Sequence, residues 1–260
     1  MTEIRDNPFA NSWLKVDRAG KHILELHKEL TAFQRSHPYE ITVEHDADTG
    51  YDCLHIIPFE RVPESIMCIV GDALHNLRTA LDYAASDIEF ATTRERTKFT
   101  KFPVDDTRDK VKNAINGGFK HKAPERVRDF ILDVIQPYKG GNGESIWALH
   151  ALDILDKHIL LIAQIHLQYI RNVRYKDETG KSYRFLELAT TMNSLDLVRV
   201  PTTRRNIQIT DKGKAAVGVF FGDGIPFERH SILKTLRHLF IVVSGTLVDL
   251  GSKLQTPQAS

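Results

Sequence analysis

Cysteine is nearly absent, with Cys53 and Cys68 the only two in 260 residues. Two thiols are too few for a disulfide framework, and without a Cys-x-x-Cys spacing they offer no zinc or redox motif. Reduced thiols in a cytoplasm are the expectation. Net charge is also lacking, because 35 Lys and Arg balance 34 Asp and Glu to a formal +1. That excludes a general attraction to nucleic acid or anionic membrane and leaves only local ones. Long apolar runs are missing: the most hydrophobic stretch, Leu239 to Leu250, covers about 12 residues against the roughly 20 that cross a bilayer, so no membrane partner is expected. The opening Met1-Thr2-Glu3-Ile4-Arg5-Asp6-Asn7-Pro8 is polar and lacks the apolar core of a secretory signal, so export is not expected. Gly140, Gly141 and Gly143 follow no strand and do not form the Gly-x4-Gly-Lys-Ser/Thr order of a phosphate cradle. There is no Gly-x-Ser-x-Gly nucleophile elbow, and both cysteines sit among apolar neighbours that keep a thiol protonated.

What is present is a chain with 42% hydrophobic residues, enough for a sizeable core. Apolar residues from Trp13 to Phe33 recur at helical spacing between charged ones. Pro38 ends that segment. Residues 39–58 alternate around Asp48-Thr49-Gly50, which predicts a β-hairpin. A helix is expected from Glu64 to Phe90, a break at Gly117-Gly118, a helix opening at Pro124 and reaching Ile135, and another from Ser145 to Tyr169. Residues 183–221 contain four short β-rich runs, at 183–188, 195–200, 206–210 and 217–221, that predict a small antiparallel sheet. A last helix from Phe227 to Leu250 and a tail at 256–260 complete the chain. With no low-complexity segment or long linker, residues 1–260 read as a single α+β domain with a mainly helical core.

The densest chemistry is on two of these helices. At about 100° per residue, Asp72, His75, Asn76, Thr79, Asp82 and Ser86 share one sector, opposite Val70, Leu74, Leu77, Leu81 and Ala84. Arg78 lies at the edge of that sector, four residues before Asp82, the spacing of an intrahelical ion pair. The sector lacks Lys and Glu, the usual residues of a solvated face, and so predicts a surface that meets protein or lines a cleft. On the second helix His150, Asp153 and Lys157 project together with Gln164 further along, and Asp156 and His158 point to either side. Ala148-Leu149-His150-Ala151-Leu152 echoes Ala73-Leu74-His75-Asn76-Leu77, which suggests that two similar helices pack and bring His and Asp to a shared seam. Imidazole and carboxylate together suit a divalent metal, but neither a His-x3-His nor a Glu-x-x-His pair occurs here, so no metal ligand and no cofactor are assigned. Residues 94–128 carry eleven Lys and Arg against five Asp and Glu, about six excess positive charges by difference, the one place where an anionic partner is electrostatically favoured.

The run Ile69-Val70-Gly71-Asp72-Ala73-Leu74-His75-Asn76-Leu77-Arg78-Thr79-Ala80-Leu81-Asp82-Tyr83, together with Leu152-Asp153-Ile154-Leu155-Asp156-Lys157-His158, resembles a family of uncharacterised bacterial proteins. Those proteins read Gly-Asp-Ala-Leu-His-Asn-Leu-Arg-Ser-Ala-Leu-Asp-His and Leu-Asp-x-Ile-Asp-Lys-His-Arg. The family form of the first motif is similar to the Arg-x4-6-His signature of HEPN helical domains, many of them ribonucleases of bacterial toxin and defence systems. That resemblance implies a HEPN-like bundle, a homodimer, and an RNA- or nucleotide-associated module acting as a metal-independent ribonuclease. It implies catalytic roles for Arg78, His75, Asp82 and Tyr83, with Arg78 on a phosphate, and binding roles for Asp72, Asn76, Asp153, Asp156, Lys157 and His158. Tyr83 departs from the pattern, standing where the relatives place His, and His75, one turn before Arg78, is the substitute acid/base. The basic segment 94–128 is the expected RNA contact. Two other readings stand beside this one: a metal-assisted hydrolase using the His/Asp seam, and a non-catalytic interaction or scaffold protein.

Overall fold

The computed structural model describes residues 7–48, 50–58, 61–98, 100–159, 161, 163–189, 198–199 and 206–255. The chain is α+β, with a helical core and two small antiparallel sheets. Helix α1 (Ala10–Arg35) turns its apolar stripe, Val16, Ala19, Ile23, Leu26, Leu30 and Phe33, inward. It is followed by the hairpin strands β1 (Tyr39–Asp46) and β2 (Tyr51–Pro58), paired in register from Tyr39 opposite Pro58 to Asp46 opposite Tyr51. Helix α2 (Glu64–Thr93) starts after Pro63 and ends at Arg94, whose left-handed backbone (φ 63) stops the helix. Then come α3 (Arg108–Ala114), α4 (Glu125–Asp129), α5 (Glu144–Asp156) and α6 (Ile232–Gln255).

α2 is the central element. Ile66, Val70, Leu74, Leu77, Leu81 and Ile88 are fully buried, and so are Ala73, Ala80, Ala84 and Ala85 among and beside them on one broad face of the helix. An apolar face this broad takes more than one element to cover it, and α1, α5 and α6 all pack on α2. Polar residues of α2 are consequently enclosed too: Asn76, Arg78, Asp87 and Glu89 are all buried. Glu89 shows how such a group is accommodated. It accepts hydrogen bonds from the hydroxyl of Thr100 and the backbone N–H of Thr97, and pairs with Lys122 at 3.1 Å. Burial alone would raise this carboxyl, yet the donors outweigh it and hold it below the usual range.

The second, smaller core belongs to the sheets. β3 (Ala163–Lys176) pairs with β4 (Ser182–Ala189) on one side and with β6 (Gln208–Asp211) and β7 (Lys214–Phe221) on the other, while β5 (Val198–Arg199) extends the hairpin sheet beside β2. Leu54, Ile170, Val173, Tyr175 and Ile207 form a cluster between the two sheets. Asp52 joins them, its backbone N–H donating to the Ile207 carbonyl and its carboxylate accepting from the Ile209 N–H at 2.8 Å. The tight turn from β6 to β7 requires Gly213 (φ 71), where a Cβ would meet the Arg171 carbonyl oxygen at 2.2 Å.

Several expectations are corrected. The predicted helix from Ser145 to Tyr169 ends at Asp156, and its second half is β3, so Gln164 leaves the His150 face and donates to Asp223 instead. The apolar run after His158 fits either period, and the β-branched and aromatic residues Ile165, Tyr169, Ile170, Val173 and Tyr175 favour the strand. Gly117-Gly118 does not break the chain but lies in a π-helical turn, Ile115–Phe119, that continues α3. The helix opening after Pro124 likewise runs on as a π-helical turn, Phe130–Ile135. The hairpin and the small sheet are both present, but residues 198–199 of the expected sheet pair with β2 of the hairpin, and β3 supplies the strand that the rest of the sheet pairs with. The last helix starts at Ile232, since Phe227 and Arg229 have positive φ. Cys53 is buried, but Cys68 is exposed. The tail 256–260 and positions 195–197 and 200 of one expected strand lie outside the described residues. Among the described residues, no helix is long and apolar enough to cross a membrane.

Leu54 sits fully buried in the small β cluster. Leu54→Ala is expected to cost about 2–4 kcal/mol and to raise hydrogen exchange in β2 and β3 before the helical core is affected.

Candidate functional site

Two turns of α2 face α5 and carry the candidate residues. Asp153 of α5, buried, accepts a hydrogen bond from His75 Nδ1 at 3.0 Å through one oxygen and from Lys157 Nζ at 2.6 Å through the other. His75 itself is about half exposed, its side chain 54% accessible. The carboxylate can only accept, so Nδ1 carries the proton, and a neutral ring presents its lone pair at Nε2. The Thr79 hydroxyl lies 3.5 Å from that nitrogen. An outward imidazole held in one tautomer by a buried carboxylate is the arrangement of an oriented acid/base group.

One turn on, Arg78 is only 4% exposed. Its Nε donates to His150 Nδ1 at 3.1 Å, one Nη to Asp82 at 2.7 Å and the other to the Phe102 carbonyl at 3.2 Å. The same Asp82 oxygen accepts the Phe102 N–H at 2.9 Å. Arg78 and Asp82 are therefore the intrahelical pair that the spacing predicted, and together they grip both backbone polar groups of Phe102. His150 is held below the usual imidazole range, first by burial and then by the adjacent guanidinium. His150 was placed in the polar cluster by its spacing, but its role as acceptor for Arg78 had no sequence signal.

Gly71 of the first motif and Asp156 of the second also meet. A Cβ on Gly71 would lie 2.2 Å from Asp156 Oδ2 and 2.7 Å from its Cγ, so the absence of a side chain there is what lets the carboxyl pack on α2. Burial, and then the carboxylates of Asp153 and Asp72, push Asp156 above the ordinary carboxyl range. Asn76 donates to the Asp72 carbonyl and accepts from Lys15 of α1 at 3.5 Å, while Asp72 is exposed. Lys15 also lies 5.7 Å from the ring centroid of Tyr83, whose side is exposed. His158 is exposed in the turn after α5 and is not drawn into the seam. Lys15 was invisible to sequence reasoning because it arrives from another helix, 61 residues before Asn76.

Among the described residues, no group of three or more His, Cys, Asp or Glu is placed to hold a metal ion. Part of the excess charge of residues 94–128 is neutralised by acids outside the segment, Arg96 pairing with Asp87, Arg108 with Asp133 and Lys122 with Glu89, while Lys110 pairs within it with Asp106. Arg126 donates to the carbonyls of Lys253 and Leu254 at the end of α6. Lys101, Lys112 and Lys120 remain exposed.

Two outcomes follow from these contacts. Gly71→Ala should destabilise the protein by about 1–3 kcal/mol through the clash; in an Asp156→Ala background it should stabilise by about 0.5–1 kcal/mol, the ordinary helix preference of Ala over Gly, a sign reversal readable by urea denaturation. For His150, a depressed imidazole gives stability that is complete above the unfolded value of about 6.5 and is lost as pH falls below it, because the unfolded chain takes up the proton first. Tm should therefore drop between about pH 7 and pH 5, and drop less in His150→Gln, which keeps an acceptor for Arg78 without titrating.

Compared with protein-family models, with curated proteins and with solved structures, the chain has no match.

Proposed function

We propose that the seam between α2 and α5 is a metal-independent acid/base site that cleaves RNA, with His75 as the group that moves the proton. The observation that carries this reading is the His75–Asp153 pair: an accessible imidazole whose Nδ1 is held by a buried carboxylate, itself fixed by Lys157. The substrate class comes from the resemblance of the Gly71 to Tyr83 helix to HEPN domains, and a cytoplasmic homodimer belongs to the same reading. In this reaction His75 Nε2 takes the proton of a ribose 2′-hydroxyl as that oxygen bonds to the adjacent phosphorus. The bond from phosphorus to the 5′-oxygen breaks, a cyclic phosphate forms, and the leaving oxygen takes a proton from water.

The roles of the other residues are set by their burial. Arg78, with three donor nitrogens engaged inside the protein, acts by holding α5 and the Phe102 segment in place, and Asp82 is its partner. Lys15 beside Tyr83 and Asn76, and the exposed Lys101, Lys112 and Lys120, supply the cations that a phosphate backbone meets. The burial of Arg78 also favours a second reading, in which the seam is purely structural.

The test is cleavage of single-stranded RNA by the full chain in the presence of a chelator. His75→Ala should lower the rate by about 100-fold or more with the melting curve unchanged, and Arg78→Ala should cost about 3 kcal/mol of stability because it strips partners from Asp82, His150 and Phe102. Absence of cleavage by the wild type, or cleavage indifferent to His75→Ala, removes the enzymatic reading and leaves the structural seam.

A further inference from the structure

The exposed polar stripe of α2 does not stop at His75 and Thr79. It continues through Tyr83 to Ser86, and there it opens into a cleft against the first turns of α1, lined by Asn11, Tyr83, Ser86, Asp87 and Arg96, with a volume of about 350 Å³. Ligand clefts run from about 300 to 1,000 Å³, so this one suits a single small planar group.

The feature that marks it is Asp87. This residue is only 6% exposed, and burial pushes its carboxyl above the ordinary range. One carboxylate oxygen is paired with Arg96 Nη2 at 2.7 Å, but the other, Oδ2, is buried and has no hydrogen-bond partner. A buried acceptor left unmet is costly, and it marks a place where a donor belongs. Ser12 Oγ, next to Asn11 on α1, is buried without a partner as well. Glu89, one residue beyond Ile88 on the same helix, shows the contrast: it is just as buried but takes donors from Thr97, Thr100 and Lys122.

The rest of the cleft is complementary to that open acceptor. Arg96 is held by Asp87, by the Ser86 hydroxyl at 3.2 Å and by the Phe90 ring, 4.8 Å from its centroid. Its side chain remains 46% accessible, so the guanidinium edge offers N–H groups beside the Asp87 carboxylate. Tyr83, 41% exposed, presents an aromatic ring at the mouth. A cationic ligand is opposed by Arg96 and by Lys15 over Tyr83, and a simple anion is opposed by Asp87. What fits is a neutral, flat heterocycle with an N–H donor beside an acceptor.

We propose that this cleft is a nucleobase subsite, in which the exposed Arg96 side chain shifts to uncover Asp87 Oδ2, that oxygen accepts from a ring or exocyclic N–H, Arg96 donates to the neighbouring acceptor, and the base stacks on Tyr83. The inference rests on the RNA reading of His75 for its place on a strand. Tyr83 lies eight residues along α2 from His75, about 12 Å at 1.5 Å per residue, within reach of a neighbouring nucleotide on the same strand. Stacking on an exposed aromatic ring is how single-stranded bases are commonly held.

The experiment is titration of the full chain with AMP, GMP, CMP and UMP, followed by NMR or calorimetry, with ribose 5-phosphate as the control that has no base. At least one mononucleotide should bind while ribose 5-phosphate does not, and His75→Ala should leave that binding in place. Asp87→Asn, which puts an amide where the open acceptor stands, and Tyr83→Ala, at an exposed position that does not threaten folding, should each weaken it by about tenfold or more. An uncleavable 2′-deoxy tetranucleotide that binds more tightly than the mononucleotide identifies a base within a strand as the occupant, and equal binding identifies the free nucleotide. The subsite is overturned if no mononucleotide binds better than ribose 5-phosphate, or if neither substitution changes the affinity. Chelator-resistant RNA cleavage without mononucleotide binding would overturn the subsite alone, whereas mononucleotide binding without any RNA cleavage would overturn the activity and leave the subsite standing.

Discussion

A helix covered over a broad face by several elements cannot keep the polar residues within that face in water, and that constraint organises this protein. α2 is packed by α1, α5 and α6, so most of the polar side chains it buries are met by partners on other elements. Arg78 finds His150 on α5 and the Phe102 backbone, Glu89 finds Thr97, Thr100 and Lys122, and Asn76 finds Lys15 on α1. The partners are spread over the chain, which means that the polar groups of α2 fix the positions of several segments that its apolar surface would hold less specifically. Burial of a charged group is weak evidence for stability as such, since the desolvation it requires offsets much of the attraction. Its effect here is geometric: the loop at Phe102 and the face of α5 have one place to sit.

The same enclosure separates two histidines of similar sequence surroundings. His75 and His150 occupy corresponding positions in the two Ala-Leu-His pentapeptides. One keeps its ring in solvent with Nδ1 donating to a carboxylate, and the other turns inward with Nδ1 accepting from a guanidinium. A carboxylate partner leaves the imidazole free to take a proton at its other nitrogen, whereas a guanidinium partner opposes any added charge. The two rings thus differ by their neighbours rather than by their type: His75 keeps a nitrogen facing solvent, and His150 is engaged inside the fold. The contrast between Asp87 and Glu89 follows the same logic, since one has an oxygen still open and the other has its donors in place.

Periodicity made the helical half of the fold legible. α1 and α2 fall close to their expected spans because their apolar residues repeat at three and four, and the 39–58 hairpin follows from alternation around a turn. The reading failed where the pattern was uniform. After His158 the apolar residues fit both periods, and only pairing with β4, β6 and β7 makes Ala163–Lys176 a strand. At the site, the shared sector of Asp72, His75 and Asn76 and the Arg78 to Asp82 pair were visible from spacing alone. Gly71 against Asp156, Lys15 beside Asn76 and the cleft at Asp87 were not, because each joins residues far apart in sequence.

By itself, then, the sequence determined which segments are amphipathic, which residues share a helix face, and that the charge balance favours no general polyanion binding, since all of these depend on local spacing and composition. Tertiary structure decided which polar groups are spent on the interior and which remain open to a partner. Arg78 looked accessible from its position on a helical wheel, but α5 and the Phe102 segment cover it; the basic run at 94–128 looked available, but Asp87, Glu89 and Asp133 pair with part of it. The reason is physical: a side chain's chemistry is set by its solvation and its nearest charges, and in a folded chain both come mainly from residues that are remote in sequence.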